Sequence, residues 1–161
     1  MQYWLMKSEP DVYSIDKFKK DGKTLWTSVR NYQARNYMME PKEPGQITMK
    51  KGDLFLFYHS NAEPSACVGI GRIENVSVPD PEQFIKKSEY YEPRATKEKP
   101  VWFCAECRYV KHRTKPLALQ ELKADSKLKN MLLLKPGSRL SVQPVEESDF
   151  KHILKISGTA I

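Results

Sequence analysis

Two runs of aromatic and branched residues, joined by a short polar loop, constrain the fold of this chain most strongly. Residues 53–59 (Asp-Leu-Phe-Leu-Phe-Tyr-His) follow the turn Lys51-Gly52, and residues 67–78 alternate apolar and polar positions. Both patterns are typical of β-strands. The loop between them predicts a hairpin, and Gly69 and Gly71 indicate a bulge or a close backbone approach in the second strand.

The other predicted elements follow one another without a regular rhythm. Ser14 and Asn31 are expected to cap two short helices, of which the first ends near Gly22. Residues 101–111 are predicted to form the longest strand. The helix that Asn31 caps is predicted at residues 32–39. Further strands are predicted at residues 2–7 and 140–145, and further helices at residues 117–123, 127–133 and 146–156.

This order of elements predicts an α+β fold. Strands separated by helices, without a repeating βαβ unit, favour a small and mostly antiparallel barrel with helices over its mouth. No repeat or linker divides the chain, so residues 1–161 are expected to form a single domain.

The charge of the chain is unevenly distributed. Residues 86–135 contain 13 lysines and arginines against 6 acidic residues, whereas the rest of the chain contains 14 of each. A basic face for a polyanion such as nucleic acid requires an excess of this kind. A lysine-rich surface that only aids solubility would have the same composition, so charge alone leaves both interpretations open. Residues 79–100, which include four prolines, are predicted to form a long loop of the kind that often binds ligands.

Several classes of protein are not indicated. No apolar run is long enough to span a bilayer, and residues 1–7 lack the layout of a secretion signal, so a cytoplasmic location and no membrane partner are expected. An odd count of cysteines argues against a disulfide framework. Cys104 and Cys107 have the spacing of metal ligands, but no second pair accompanies them, and in a strand they would point to opposite faces. We therefore expect no metal ion and no cofactor.

No catalytic motif stands out. The histidines His59, His112 and His152 and the scattered acidic residues give no recognisable triad or carboxylate pair, and the chain has no glycine-rich phosphate loop. A binding protein is therefore expected rather than an enzyme.

Residues 25–37 concentrate the side chains from which a nucleotide site can be built. The segment contains an indole, phenols, guanidinium groups and carboxamides, few of which belong in an apolar core. Aromatic rings stack on a base, amides and hydroxyls bond to its edge, and arginines meet its phosphate. Tyr32, Arg35 and Asn36 would share one face of the predicted helix, beside Trp26, Arg30 and Asn31. The alternative is that Trp26 belongs to the core and that the arginines form ion pairs.

Polar residues at strand ends extend this set. Ser8 follows the first predicted strand, and residues 58–61 close another strand and open a loop, where functional groups are commonly presented. For His59 a structural hydrogen bond is an equally good interpretation. In an extended segment, Arg139, Ser141 and Gln143 would share one face, as in a strand that lines a cavity or in any half-buried edge strand.

Six ordered motifs resemble the EVE domain family. They lie at residues 3–10 (Tyr-Trp-Leu-Met-Lys-Ser-Glu-Pro), 26–36 (Trp-Thr-Ser-Val-Arg-Asn-Tyr-Gln-Ala-Arg-Asn), 57–61 (Phe-Tyr-His-Ser-Asn), 69–71 (Gly-Ile-Gly), 80–84 (Asp-Pro-Glu-Gln-Phe) and 139–144 (Arg-Leu-Ser-Val-Gln-Pro). The resemblance runs in order from Gln2 to about Leu154.

The resemblance implies a PUA-like fold, a pseudo-barrel of mixed strands with short flanking helices, related to the YTH domains that bind methylated adenine in RNA. It also implies a non-enzymatic module that recognises a modified nucleobase in nucleic acid, with modified cytosine in DNA as the foremost ligand. The residues that it places in the pocket are Ser8, Trp26, Arg30, Asn31, Tyr32, Asn36, His59, Ser60, Asn61, Arg139, Ser141 and Gln143, and Arg35 is added from the shared helix face.

The sequence departs from the usual family pattern directly after Trp26. The family commonly has an acidic residue and a glycine there, whereas this chain has Thr27 and Ser28, and the change is expected to alter the turn that enters the next helix. Cages that bind bases use two or three aromatic rings. Trp26 provides one, and the candidates for the others are Tyr90, Tyr91 and Trp102, of which Trp102 also suits the core.

Two alternatives stay open beside the leading interpretation. A general RNA-binding module of PUA-like fold would bind modified and unmodified strands alike. An enzyme that acts on a modified nucleotide would use His59 as a general acid or base near Ser60. In the leading interpretation the protein is a monomer or weak dimer, and residues 86–135 contact the phosphate backbone of DNA or RNA.

Overall fold

The computed structural model describes residues 1–137 and 139–161, apart from the side chain of Thr114. Its six-stranded sheet contains the strands β1 (Tyr3–Ser8), β2 (Lys23–Leu25), β3 (Leu54–His59), β4 (Ala66–Pro79), β5 (Phe103–Ala118) and β6 (Val142–Val145). The helices are α1 (Ile15–Asp21), α2 (Tyr32–Tyr37), α3 (Leu119–Ala124) and α4 (Glu147–Ile156), with short 3-10 helices at Pro81–Phe84, Ser126–Leu128 and Leu132–Leu134.

The strands follow the order β2-β5-β4-β3-β1-β6. The β1 and β3 strands run parallel, and the other neighbouring pairs are antiparallel. A mixed and mostly antiparallel sheet with short helices confirms the predicted α+β class. Within the described residues the edge strands β2 and β6 do not pair with each other, so the sheet is open and not a closed barrel.

Both faces of the sheet are buried. Along β3, Phe55 and Phe57 belong to one hydrophobic core, whereas Leu54, Leu56 and Tyr58 belong to another. Successive side chains of a strand point to opposite faces, and a strand that is covered on both sides needs a nearly continuous apolar run of this kind. Helices α1 and α2 contribute to the first core, and α3 and α4 contribute to the second.

The glycines of β4 mark close approaches, as the sequence predicted. A Cβ atom at Gly71 would overlap the ring of Phe55, and a Cβ atom at Gly69 would lie 2.5 Å from the side chain of Ile15 and 2.8 Å from the carbonyl oxygen of Lys111. The register of β4 against β3 and β5 also shifts in this region. Glycine at these positions lets the first core pack directly on the β4 backbone.

Both predicted helix caps are confirmed. The side chain of Ser14 accepts a hydrogen bond from the amide of Lys17, and that of Asn31 accepts one from the amide of Ala34. None of the helices in the described part of the chain has the length and apolar character needed to cross a membrane.

Two expectations about local structure are wrong, and one short strand was not predicted. The helix predicted over residues 127–133 forms instead as two 3-10 helices that place Leu128 and Met131 in the second core. The β2 strand was not predicted, because three residues are too few to show a period. Cys104 and Cys107, which were expected on opposite faces of a strand, are both buried in the first core.

Candidate functional site

A cleft of about 800 Å³ opens where the parallel strands β1 and β3 end. Ser8 is paired with His59 in the register of these strands, so the residues that follow each strand meet at the same edge. The amide of Ser60 donates a hydrogen bond of 3.0 Å to the carbonyl oxygen of Ser8. Ser8, Ser60 and Asn61 therefore line one side of the cleft.

Both edges of the sheet contribute to the same cleft. Leu25 of edge strand β2 lines it, and so do Arg139 and Ser141, which precede the opposite edge strand β6. The amide of Lys7 donates a hydrogen bond of 2.8 Å to the carbonyl oxygen of Ser141. Because residues from opposite edges reach one cleft, the open sheet must curl strongly, which gives it the pseudo-barrel character that the family resemblance implied.

Trp26 is both a core residue and a wall of the cleft. Its indole is 7% exposed and meets the rings of Phe55 and Phe57 edge to face, with centroid distances of 5.7 and 5.3 Å. Its amide donates a hydrogen bond of 2.8 Å to the carbonyl oxygen of Ala105. The rings of Phe55 and Phe57 restrict rotation of the indole. A stacking ligand would therefore meet a preformed surface.

The buried carboxylate of Asp80 fixes the segment that follows Trp26. Its Oδ2 atom accepts hydrogen bonds from the amide of Ser28 at 2.7 Å and from Nη1 of Arg30 at 3.0 Å. Its Oδ1 atom accepts one from the amide of Glu82 at 2.8 Å. Asp80 is 1% exposed, and charge-assisted bonds are strong where water is excluded. Asp80 thus holds the cleft-lining residues 26–29 against the loop that connects β4 and β5.

The structure brings part of the predicted site together. The predicted residues that line the cleft are Ser8, Trp26, Ser60, Asn61, Tyr90, Arg139 and Ser141. Those that lie outside its lining are Arg30, Asn31, Tyr32, Arg35, Asn36, His59, Tyr91, Trp102 and Gln143.

Helix α2 directs its polar side chains to structural partners. Asn31 is the cap of the helix, and Arg35 donates hydrogen bonds to the carbonyl oxygen of Val101 at 2.9 Å and to Oδ1 of Asn36 at 2.8 Å. The Arg35 guanidinium also lies over the Tyr32 ring, 4.7 Å from its centroid, as expected for residues three apart on one helix face. Arg35 therefore ties α2 to the residues that precede β5.

Gln143 does not share a face with Arg139 and Ser141. It is fully buried, donates a hydrogen bond of 2.8 Å to the carbonyl oxygen of Leu140, and lines a separate cavity of about 160 Å³. The strand begins only at Val142, so the alternation expected for an extended segment does not run back to Arg139.

His59 has the structural hydrogen bond that the sequence left open as an alternative. Its Nε2 atom accepts a bond of 3.1 Å from the amide of Ile15, at the start of α1. Burial lowers the pKa of His59, although the carboxylate of Asp16 opposes this shift. The neutral ring that results is the form able to accept this bond, and it lines a second cavity of about 500 Å³ instead of the larger cleft.

A series of aromatic and guanidinium contacts connects the cleft to the surface. The guanidinium carbon of Arg30 lies 5.4 Å from the ring centroid of Tyr90, which lines the cleft, and 5.1 Å from that of Trp102. Trp102 stacks on Tyr32 with a centroid distance of 4.8 Å and an interplanar angle of 13°. Trp102 is buried, whereas Tyr32 is 49% exposed. Tyr91 is half-buried, and its amide donates to the carbonyl oxygen of Ser88.

The model of the EVE domain family matches residues 2–156. The chain belongs to the EVE domain family. Human thymocyte nuclear protein 1 is 33% identical to it over 173 residues, which cover 96% of this chain and 73% of that protein. A crystal structure of a Pseudomonas syringae protein has a TM-score of 0.87 at 41% identity, covering 96% of this chain and 99% of that one. A crystal structure of human THYN1 in complex with DNA that contains 5-methylcytosine has a TM-score of 0.87 at 32% identity and covers 100% of both chains.

Ser28, the second residue after Trp26, has a backbone conformation that is unusual for a residue with a side chain. Its φ of 72° lies in the left-handed region, which costs such a residue about 1–2 kcal/mol. The hydrogen bond from its amide to Asp80 holds this conformation, and Ser28 belongs to the lining of the cleft.

Several residues that line or support the cleft were not predicted, and Lys7, Tyr13 and Asp80 are the most informative of them. Lys7 lines the cleft, and burial lowers the pKa of its ammonium group. Tyr13 also lines it. The carbonyl oxygen of Tyr13 accepts a hydrogen bond of 2.6 Å from Ser8, and burial raises the pKa of its phenol to about 12. Asp80 belongs to the Asp-Pro motif of residues 80–84, which was a usable signal. Within the described residues, no cluster of His, Cys, Asp and Glu could hold a metal ion.

Proposed function

We propose that this EVE domain binds DNA that carries a modified cytosine, and that it holds the modified base in the cleft beside Trp26 without changing it chemically. The observation that carries the proposal is the cleft, whose volume of about 800 Å³ lies within the range of small-ligand sites. A base inside a duplex cannot reach such a cleft, so the base would be flipped out of the stack.

The lining of the cleft suits a base. Trp26 places a fixed indole in this lining, on which a base can stack. The hydroxyl groups of Ser28, Ser60 and Ser141 can both donate and accept hydrogen bonds, as the edge of a base requires. Arg139 is exposed beside them and can meet a phosphate of the flanking strand.

The relatives support DNA as the polymer and 5-methylcytosine as the first modification to test. The crystallised chain of human THYN1, which covers the full length of this chain, is in complex with DNA containing that base. The basic residues also suit a polyanion. Exposed Lys86, Lys87, Lys97 and Lys99 belong to the same loop as Tyr90, which lines the cleft.

The proposal assigns recognition and no catalysis to the site. The lone pair on Nε2 of His59, the candidate general base, is used by the amide of Ile15, so this atom is not available to take a proton from a ligand. The cytoplasmic location stays a prediction. The monomeric or weakly dimeric state also stays a prediction, and analytical ultracentrifugation measures it.

Fluorescence anisotropy at fixed salt tests the proposal. The probes are DNA oligonucleotides with one 5-methylcytosine or cytosine at the same position, together with their RNA counterparts. We expect wild type to bind the methylated DNA most tightly. Trp26→Ala should remove this preference, because stacking on an aromatic side chain contributes about 1–3 kcal/mol per base.

Trp26→Phe and Trp4→Phe provide a matched pair that separates loss of stacking from loss of core packing. Trp4 is fully buried in the same core and donates a hydrogen bond of 3.1 Å to Asp53, but it lies outside the lining of the cleft. The Trp26 variant should weaken discrimination, and the Trp4 variant should leave it intact. A folded Trp26→Ala protein that still prefers methylated DNA would exclude this cleft. Equal affinity of wild type for all four probes would favour a general nucleic-acid binder, and a changed base detected by mass spectrometry would favour an enzyme.

A further inference from the structure

We propose that Tyr32 forms a second stacking site, outside the cleft, for an unpaired base that neighbours the base held beside Trp26. Tyr32 was expected to line the pocket, but it lies at the surface end of the contacts that begin at Tyr90. The inference rests on the proposed function, because the nucleic-acid strand whose modified base enters the cleft would also pass over Tyr32.

The exposure of Tyr32 is unusual among the rings of this chain. At 49% it is more exposed than any other aromatic side chain in the described residues, and the other large apolar side chains at the surface are not aromatic. A single exposed apolar residue is common on protein surfaces. The distinguishing feature of Tyr32 is therefore the set of contacts that holds its ring.

Three groups fix the Tyr32 ring. Trp102 stacks against it nearly in parallel. The Arg35 guanidinium lies 4.7 Å from the Tyr32 centroid and 5.7 Å from that of Trp102, so it does not cover the face opposite Trp102. The phenol oxygen accepts a hydrogen bond of 3.1 Å from Nη2 of Arg94. A ring that is already ordered loses little conformational entropy when a base stacks on it.

The partners of Tyr32 are themselves fixed by one carboxylate. Glu92 accepts hydrogen bonds from Nε and Nη2 of Arg94, at 3.1 and 2.7 Å, and from Nε1 of Trp102 at 3.2 Å. The side chain of Glu92 is 13% exposed and that of Arg94 is 66% exposed. The carboxylate thus stays on the inner side and the guanidinium faces solvent, where a phosphate can reach it.

The surroundings of Tyr32 favour a nucleotide over a protein partner. An exposed ring beside exposed cations is the combination with which proteins bind single strands, since the ring stacks on a base and the cations meet the backbone. Arg94 contacts the Tyr32 phenol, and Lys97 and Lys99 are exposed in the same loop as Arg94, between β4 and β5. A protein partner would use a contiguous apolar patch, and Tyr32 is flanked instead by Arg35 and Arg94.

Tyr32→Ala, with Tyr32→Phe as its matched control, tests the inference. The probes are DNA oligonucleotides with 5-methylcytosine or cytosine, and free 5-methyl-2′-deoxycytidine. Tyr32→Ala should weaken binding of both oligonucleotides by roughly 5- to 100-fold and leave the ratio between them and the affinity for the nucleoside unchanged. Tyr32→Phe keeps the ring and should bind the oligonucleotides nearly as wild type does.

A fluorescent base provides a second measurement that does not depend on affinity. The base 2-aminopurine beside the modified cytosine should be quenched by wild type and by Tyr32→Phe, but not by Tyr32→Ala. Unchanged oligonucleotide affinity in Tyr32→Ala, or an equal loss of nucleoside affinity, would overturn the second site, as would quenching in all three proteins. A wild-type protein that does not prefer methylated DNA would contradict the proposed function. If Tyr32→Ala still weakened the binding of that protein to DNA, the stacking site at Tyr32 would be supported independently.

Discussion

Replacing Asp80 by asparagine tests whether one buried carboxylate holds a wall of the cleft. The substitution keeps the shape of the side chain but removes its charge and replaces one acceptor oxygen by an NH₂ group. In one amide orientation the NH₂ group faces two donors, the amide of Ser28 and Nη1 of Arg30, and in the other it faces the amide of Glu82. Neither orientation satisfies all three donors.

The expected loss of stability follows from these contacts. Hydrogen bonds to a charged group contribute about 1.5–3 kcal/mol each, and a buried donor without a partner costs about 1–3 kcal/mol. The Arg30 side chain is 19% exposed, so water recovers part of its loss. We expect Asp80→Asn to lower the free energy of unfolding by about 2–4 kcal/mol, or Tm by roughly 5–15 °C for a domain of this size.

Urea denaturation and nucleoside binding measure the two consequences of this substitution. Asp53→Asn is the matched control, because Asp53 is also buried and accepts three N–H groups, from Gln2, Trp4 and Lys50. Both variants should be less stable than wild type, but only Asp80→Asn should weaken binding of 5-methyl-2′-deoxycytidine at a temperature where both are folded. A change in unfolding free energy below about 0.5 kcal/mol, or equal losses of binding in the two variants, would refute the reasoning.

Two further substitutions test the close packing of β4 against Phe55 and the effect of His59 on the pH dependence of stability. Gly71→Ala should destabilise the fold by about 1–3 kcal/mol, because its Cβ atom would overlap the buried ring of Phe55; unchanged urea denaturation would mean that β4 can move away. Because burial lowers the pKa of His59 from 6.5, its contribution to stability is present above about pH 6.5 and lost as pH falls through the folded-state pKa. His59→Gln should therefore show a smaller loss of stability than wild type between about pH 7 and 5, and parallel pH profiles for the two proteins would contradict this prediction.

Local signals in the sequence predicted most of the secondary structure. Ser14 and Asn31 cap their helices as predicted, because capping depends on contacts within a few residues. The aromatic run of β3 and the glycines of β4 were also informative, since both reflect dense packing on a strand. The register shifts between β4 and β5 beyond Ile73 were not predictable, because pairing between distant strands is not encoded in the period of either one.

The sequence by itself determined the family, the α+β class and the concentration of base-binding side chain types around Trp26. Only the tertiary structure decided which of these side chains line one cleft. The curl of the sheet brings Ser8, Ser60 and Ser141 to Trp26 from distant parts of the chain, whereas Arg30 turns to Asp80 and Tyr32 turns to the surface. The physical reason is that side-chain type follows from the residue, but its partners follow from contacts between segments far apart in sequence. Trp26 is an example: its indole is suited to stacking by residue type, but only the fold makes it part of the core and a wall of the cleft.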